Sequence, residues 1–358
     1  MFDSTQSIAL PTECTALITK CKSRISTESR CCSIAIGDGC CRRRSRAPMP
    51  TRSVYRALRV ERREALIIGR GVKGLTPDRK GRSLAKELAV AWGQSVIFEN
   101  RPGANTIISS QAVATAEPDG HTLLFAIDAT ITTNPHLYKK LPYDPVADFA
   151  PVTMLTTFGT LLVANSSVKP DTLADLIATD KASPSSISYA SIGLGSQMHL
   201  DSEMLKYRTG TRFMHVPYKG IPQMTQSILQ NETQLGWLGV FTAKPLLESG
   251  RLKAYAYGGK KRSLMLPNVP TFSELGYPDV GVNVWYGLLA PAKTPRAVVE
   301  RINTDVRAVL ADSAFVAANM EPKGYEPVGM SPEAFARHIR DELATRKTWV
   351  KVAGVEAE

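Results

Sequence analysis

The sequence predicts an α/β protein of two domains, each a mostly parallel sheet flanked by helices, and three observations carry that reading. From about Glu64 onward, short apolar runs alternate with stretches of helical periodicity, the signature of repeated βα units. The 358 residues exceed what one hydrophobic core usually organises, and 43% hydrophobic content is ordinary for a globular chain. No window approaches the roughly 18 to 20 consecutive apolar residues of a membrane-spanning helix, so partnership with a membrane is expected to run through another protein.

The first expected strand is Ala65 to Ile68. Thr76-Pro77-Asp78 then reads as a helix start, with Thr as N-cap and Pro at the first helical position, leading into Leu84, Leu88 and Trp92. Ser95 to Phe98 returns as the second strand. Gln111 to Ala116 is helical, and the turn Glu117-Pro118-Asp119-Gly120 stops it before the buried strand Thr122 to Ile127. Further strands are expected at Thr160 to Ala164, Ile187 to Ala190, Phe213 to Val216, Leu235 to Val240, Leu252 to Tyr257 and Val284 to Leu289, with helices between them. Thr294-Pro295 caps a helix whose Val298, Ile302, Val306 and Val309 share a face, and Ser331-Pro332-Glu333 caps another carrying Phe335, Ile339 and Leu343.

The formal charge of +11 suggests nucleic acid or an anionic membrane surface until it is located. Residues 1 to 82 hold 18 Lys+Arg against 7 Asp+Glu, which leaves 26 of each sign from residue 83 onward, so no nucleic-acid partner is expected. All six cysteines, Cys14, Cys21, Cys31, Cys32, Cys40 and Cys41, also lie in the basic segment, and their spacing fits neither a zinc site nor a disulfide framework. The opening MFDSTQSIALPTECTALITK lacks the basic start and unbroken apolar run of an export signal. With the Arg-rich stretch that follows it, residues 1–63 are expected to be disordered or a misassigned reading of upstream sequence.

In open α/β sheets ligands sit beyond the carboxyl ends of the strands, so the strand-to-helix loops are the places to search. Gly69-Arg70-Gly71-Val72-Lys73-Gly74 matches G-x-G-x-x-G, with Glu99 placed for a ribose contact. That motif keeps open an alternative, an NAD(P)-dependent oxidoreductase using Gly69, Gly71 and Gly74, beside the reading of a flexible turn. After Ile127, Asp128-Ala129-Thr130 offers a carboxylate, amides and a hydroxyl, although Asp128 fits a turn-forming role equally. Ser191-Ile192-Gly193-Leu194-Gly195-Ser196 exposes amides at the start of a helix, which binds anions without a cationic side chain. Pro217-Tyr218-Lys219-Gly220 brings a ring and a cation to a strand end, and Thr242 adds a hydroxyl at the same edge. Substituting Ser196 by Pro or Gly195 by Val is expected to weaken binding more than folding.

Catalytic constellations do not accompany these loops. The five histidines form no H-x-x-x-H or H-E-x-x-H pair, and neither a G-x-S-x-G elbow nor a P-loop occurs. Ser196 and His199 share one helical turn, but a helix-start Ser beside a packed His accounts for them more simply than a nucleophile and its base. The chain is therefore expected to bind rather than catalyse, with no metal and no cofactor.

Five stretches, Glu99-Asn100-Arg101-Pro102-Gly103-Ala104, Pro118-Asp119-Gly120-His121-Thr122-Leu123-Leu124, Leu141-Pro142-Tyr143-Asp144-Pro145, His215-Val216-Pro217-Tyr218-Lys219-Gly220 and Gly287-Leu288-Leu289-Ala290-Pro291-Ala292, resemble the Bug family. These are the extracytoplasmic solute receptors of tripartite tricarboxylate transporters. The resemblance, which runs from about Ala65 to the C-terminus, implies a type 2 periplasmic-binding-protein-like fold. It assigns 64–165 and 286–358 to domain I and 166–285 to domain II, with crossings near Val163 to Val168 and Asn283 to Gly287, and with Trp285 and Tyr286 bordering the cleft. It also implies a monomeric periplasmic receptor that closes by a hinge on a di- or tricarboxylate, amino acid or related organic acid, and passes it to membrane transporter subunits. Amides, hydroxyls and waters hold the carboxylate in such receptors.

The first loop departs from the family's Pro-Pro-Gly-Gly pattern, reading Val72-Lys73-Gly74-Leu75, with Asp78 on a family Asp; Gly74 and Asp78 stand as its ligand-binding residues. Where many relatives carry an acid or amide, this chain reads Gly239-Val240-Phe241-Thr242, so ligand identity does not transfer.

Overall fold

Eleven strands among the described residues form two sheets, and the order in which the chain visits them places the loops of interest. The structure is a computed structural model and describes residues 64–69, 76–281 and 283–357. The expectations for residues 1–63 and for Gly71 and Gly74 lie outside these. In the first part of the chain the order is β1 (Ala65–Gly69), α1 (Thr76–Trp92), β2 (Val96–Asn100), α2 (Ile107–Ala114), β3 (Thr122–Ile127), a π-helical turn (Ala129–Thr133) and α3 (Asn134–Leu137). The middle part runs β4 (Phe149–Phe158), β5 (Thr160–Asn165), α4 (Leu173–Ala182), β6 (Ser188–Ser191), α5 (Gln197–Thr209), β7 (Met214–Pro217), α6 (Ile221–Leu229), β8 (Leu235–Gly239), α7 (Val240–Glu248) and β9 (Leu252–Tyr257). The last part comprises β10 (Val284–Pro291), α8 (Arg296–Ala311), α9 (Ser313–Asn319), β11 (Glu326–Pro327) and α10 (Pro332–Val352).

One sheet has the order β11-β4-β10-β3-β1-β2 and the other β7-β6-β8-β5-β9. Each is mixed rather than mostly parallel. In the first, β1 pairs parallel with β2 and β3, while β10 runs antiparallel to β3 and β4. In the second, β6 pairs parallel with β7 and β8, while β5 runs antiparallel to β8 and β9. The antiparallel members are the strands by which the chain leaves one sheet and enters the other, so their direction is set by the crossing and not by a βα return. Burial follows: β3 and β10 are nearly continuous apolar runs, as strands covered on both faces must be.

The chain changes sheets at Gly159, between β4 and β5, and not near Val163 to Val168 as expected; Thr160–Asn165 is a fully buried strand held on both edges in the second sheet. Gly159 is required there. A Cβ at this position would lie 2.6 Å from ring atoms of Tyr257 and 2.7 Å from the Gly259 nitrogen, and the Gly159 amide donates to the Tyr257 hydroxyl at 3.0 Å.

The sequence reading missed β4, because FAPVTMLTTF alternates poorly and carries Thr at core positions. Those threonines are buried with their hydroxyls satisfied: Thr153 donates to the Met330 carbonyl and Thr156 to the Glu326 carbonyl, both at 2.8 Å. Thr294 does not cap α8. It is buried without a hydrogen-bond partner for its hydroxyl, while Pro295 stands at the cap position and its carbonyl receives the first amides. Ser331 does cap α10, accepting from the Ala334 amide at 3.2 Å.

Helix α10 serves both sheets. Phe335 and Ile339 in its first half pack with Leu124, Met154 and Leu289 of the first sheet, whereas Trp349 and Val350 in its last turns join Leu162, Tyr189 and Trp237 of the second.

Candidate functional site

Parallel pairing puts the carboxyl ends of β1, β2 and β3 on one edge of the first sheet, and those of β6, β7 and β8 on one edge of the second. The loops at 101–106, 128–133, 192–196, 218–220 and 239–242 leave from these edges. The two edges touch at Gly195: a Cβ built there would lie 2.7 Å from the Leu137 methyls, so the loop after β6 rests on α3, which follows β3.

The loop after β6 is organised by its own polar atoms. The buried Ser191 Oγ accepts from the Gly193 amide at 3.0 Å and lies 2.7 Å from His215 Nε2. Ser196 Oγ donates to the Gly193 carbonyl at 2.6 Å and accepts from the His199 amide at 3.4 Å, acting as the N-cap of α5. The Gly195 amide donates to His199 Nδ1 at 3.2 Å, and the Ser196 amide to the Gly193 carbonyl at 3.3 Å. The structure thus brings Ser191, Gly193, Gly195 and Ser196 together, but the amides of 193, 195 and 196 are taken within the loop. Those left without an intrahelical partner by helix geometry are in the first turn, at Gln197 and Met198.

Two histidines complete this loop. His199 and His215 lie with ring centroids 4.4 Å apart, and Tyr189 stacks on His215 at 4.9 Å. The Tyr189 hydroxyl donates to Glu203 Oε1 at 2.6 Å, and Lys206 Nζ donates to the same oxygen at 2.7 Å. Burial lowers both imidazoles, His199 to about 4 with His215 as a second cause. Sequence reasoning had His199 as a packed neighbour and gave His215 no role; their shared cluster joins α5 to β7 and has no signature in local spacing.

The loop after β3 is closed inward. Thr130 is buried, its hydroxyl donating to Thr106 Oγ1 at 2.9 Å and its carbonyl accepting from the Tyr143 hydroxyl at 2.7 Å. Asn134 Nδ2 donates to the Asn105 carbonyl at 2.8 Å, and Asn105 Nδ2 returns a bond to Asn134 Oδ1 at 2.7 Å. These bonds hold Ala104, Asn105 and Thr106 in successive left-handed conformations, φ 42, 46 and 78. A run of this kind in non-glycine residues persists only where neighbours over-determine it. Ala129 is half-buried.

The carboxylate of Asp128 does not face outward. It is 1% exposed and accepts from Arg346 Nη2 of α10 at 3.0 Å, while the same guanidinium donates to Glu342 Oε1 at 2.9 Å. Burial pushes Asp128 up to about 7 against the pull of Arg346. Glu342 shifts the other way despite its burial, because His338, Arg346 and the Trp285 indole all favour its charge.

Trp285 does not border a cleft: it is 1% exposed, edge-on to Phe335, with Nε1 donating to Glu342. Alternation along β10 sends Tyr286 to the other face, stacked with Phe125 and Phe158, where it too is buried. Asp78 is buried, with its carboxylate bonded to Arg82 Nε at 2.8 Å and to Asn100 Nδ2, so it orders the first turn of α1. Tyr218 donates its amide to the Ser191 carbonyl at 2.8 Å, while its side chain lines a shallow depression with Pro222, Gln223 and Gln226. Lys219 and Thr242 are exposed at the same sheet edge. Glu99, the residue a ribose would need, is paired with Arg101 at 2.8 Å.

Lys80 was not anticipated. Its amine is buried over the rings of Phe158, Tyr286 and Tyr325, where burial, with Lys323 as a lesser cause, lowers it to about 5.

Comparison with known proteins places this arrangement. The R. palustris protein Rpa4515 with adipate has a similar structure, with a TM-score of 0.73 and 31% identity over 84% of this chain and 100% of that one. MatC from Rhodopseudomonas palustris with bound malate superposes with a TM-score of 0.68 and 28% identity, covering 80% and 99%. Protein BugT of Bordetella pertussis is 33% identical over 271 residues, 75% of this chain and 83% of the relative. The two-sheet fold is that of periplasmic solute-binding proteins, which are binding proteins and not enzymes. Residues 81–355 match the tripartite tricarboxylate transporter family receptor model, and the chain belongs to that family, in which the Bug proteins fall.

Proposed function

We propose that this receptor captures a small carboxylate between the facing edges of its two sheets and passes it to the membrane subunits of a tripartite tricarboxylate transporter. The observation that carries the reading is the contact of Gly195 with Leu137, which sets the amide-rich start of α5 beside the turn that follows β3. Similar proteins hold adipate and malate, both dicarboxylates, which supports that ligand class. A helix N-terminus with its unpartnered amides supplies partial positive charge without a cation. In this reading β1 to β4 with β10 and β11 form one lobe, β5 to β9 the other, and closure about Gly159 and the chain's return to β10 encloses the ligand in a monomer at its periplasmic station.

A thermal-shift screen across organic acids, amino acids and nicotinamide dinucleotides tests the proposal. An acid at about 100 times its Kd adds about 2.7 kcal/mol and raises the unfolding temperature by several degrees. Stabilisation by a dinucleotide alone would refute the receptor reading.

A further inference from the structure

We infer that His199 is a positioning residue of the proposed carboxylate site, holding the loop after β6 in its binding shape only while the imidazole is neutral. The inference rests on the receptor reading and adds a pH dependence to it.

The argument is one of donors and acceptors. The Gly195 amide can only donate, so His199 Nδ1, 3.2 Å away, must be the unprotonated nitrogen. The ring proton then sits on Nε2, which lies 4.0 Å from Glu203 Oε1. Protonating Nδ1 sets N–H against N–H, and the amide cannot reverse its role. His215 differs. Its Nε2 faces the Ser191 hydroxyl at 2.7 Å, and that hydroxyl also lies 3.2 Å from the Gly193 carbonyl. When His215 gains a proton, Ser191 accepts from it and turns its own hydrogen to Gly193, so the loop keeps its bonds.

Every charged or titratable group packed around His199 enters the balance. Glu203 favours its protonation but already accepts from Tyr189 and Lys206, while Lys206 and the neighbouring His215 oppose it. His199 is 3% exposed, so water does not offer the imidazolium an alternative partner. Gly195 is also the residue that touches Leu137, so release of its amide loosens the contact between the two sheet edges.

The first measurement uses the ligand-free, isotope-labelled protein, following the His199 ring nitrogens and exchange of the Gly195 amide from about pH 7 to about pH 3, which spans the midpoint expected for His199. The expected result is a proton on Nε2 alone at neutral pH, and loss of Gly195 protection with the same midpoint as His199 protonation. A protonated Nδ1 at neutral pH, or protection indifferent to that titration, overturns the inference. The second measurement titrates adipate into wild type and His199→Asn by calorimetry over the same range. Asn offers an acceptor near the Nδ1 position without titrating, so it binds more weakly at pH 7 but without the acid-dependent loss. The ratio of wild-type Kd to variant Kd, in which protonation of adipate cancels, climbs by up to about tenfold per pH unit below the His199 midpoint. A flat ratio overturns the inference. Failure of adipate to bind wild type at pH 7 counts against the carboxylate reading, while the ligand-free measurement still decides the role of His199.

Discussion

Arg346→Leu destabilises the protein by about 3–5 kcal/mol, because it removes one partner from a buried ionic network and leaves the others charged. Arg346 is 0% exposed and bonds Asp128 and Glu342 through Nη2, at 3.0 and 2.9 Å, with Nε reaching Glu342 at 3.2 Å. Leucine fills the space near Trp349 but meets neither carboxylate. Glu342 keeps the Trp285 indole as a donor; Asp128 loses its ion-pair partner and lies beside a second acid. The double variant Arg346→Leu/Asp128→Asn therefore recovers part of the loss, since one buried carboxyl is no longer ionisable. Denaturant unfolding of the two variants and wild type measures both effects, and a wild-type midpoint for Arg346→Leu would show that the network contributes nothing.

Gly195→Val abolishes tight ligand binding, by well over tenfold, and lowers stability by about 1–3 kcal/mol. Two costs coincide at this position. Its φ of +69 is in the left-handed region that β-branched residues avoid, and the added carbon atoms meet Leu137, whose methyls lie 2.7 Å from the first of them. Sequence reasoning placed the effect on binding more than on folding; the Leu137 contact adds the folding cost, because the loop must move off α3 to admit the side chain. Gly193→Val separates the terms. Gly193 also has positive φ, +117, but a Cβ there meets nothing within 4 Å, so the variant carries backbone strain without the displacement from α3. Calorimetric titration and denaturant unfolding of both variants distinguish them: equal binding losses at 193 and 195 would mean that contact with Leu137 has no part in the site.

Most strands were legible from the sequence because buried parallel strands are short apolar runs bounded by turn residues, as in Ala65–Gly69 and Thr122–Ile127. β4 was not, since its core threonines look polar until Met330 and Glu326 supply carbonyl acceptors from 170 or more residues away. The loop after β6 was readable as a helix start with small residues; its internal bonds to His199 and His215 were not, because one comes from α5 and the other from β7. Asp128 looked like a cleft residue by its position at a strand end, and Trp285 by what the family resemblance implies. Both are instead tied beneath the edge by α10, more than 50 residues further along the chain from Trp285, and no local pattern announces such a partner. Alternation along β10 was available as a warning for one of the two: it places Trp285 and Tyr286 on opposite faces, so they could not both face one side.

The central claim is that a carboxylate is held by backbone donors contributed from both sheet edges. Backbone amide chemical shifts, followed while the stabilising acid is titrated into labelled protein, test it most directly. The account expects amides of the α5 start, at Gln197 and Met198, and of the turn Ala129–Thr133 to shift together with a single affinity. Shifts confined to one of these segments, or centred on the depression beside Tyr218 and Gln226, would contradict it.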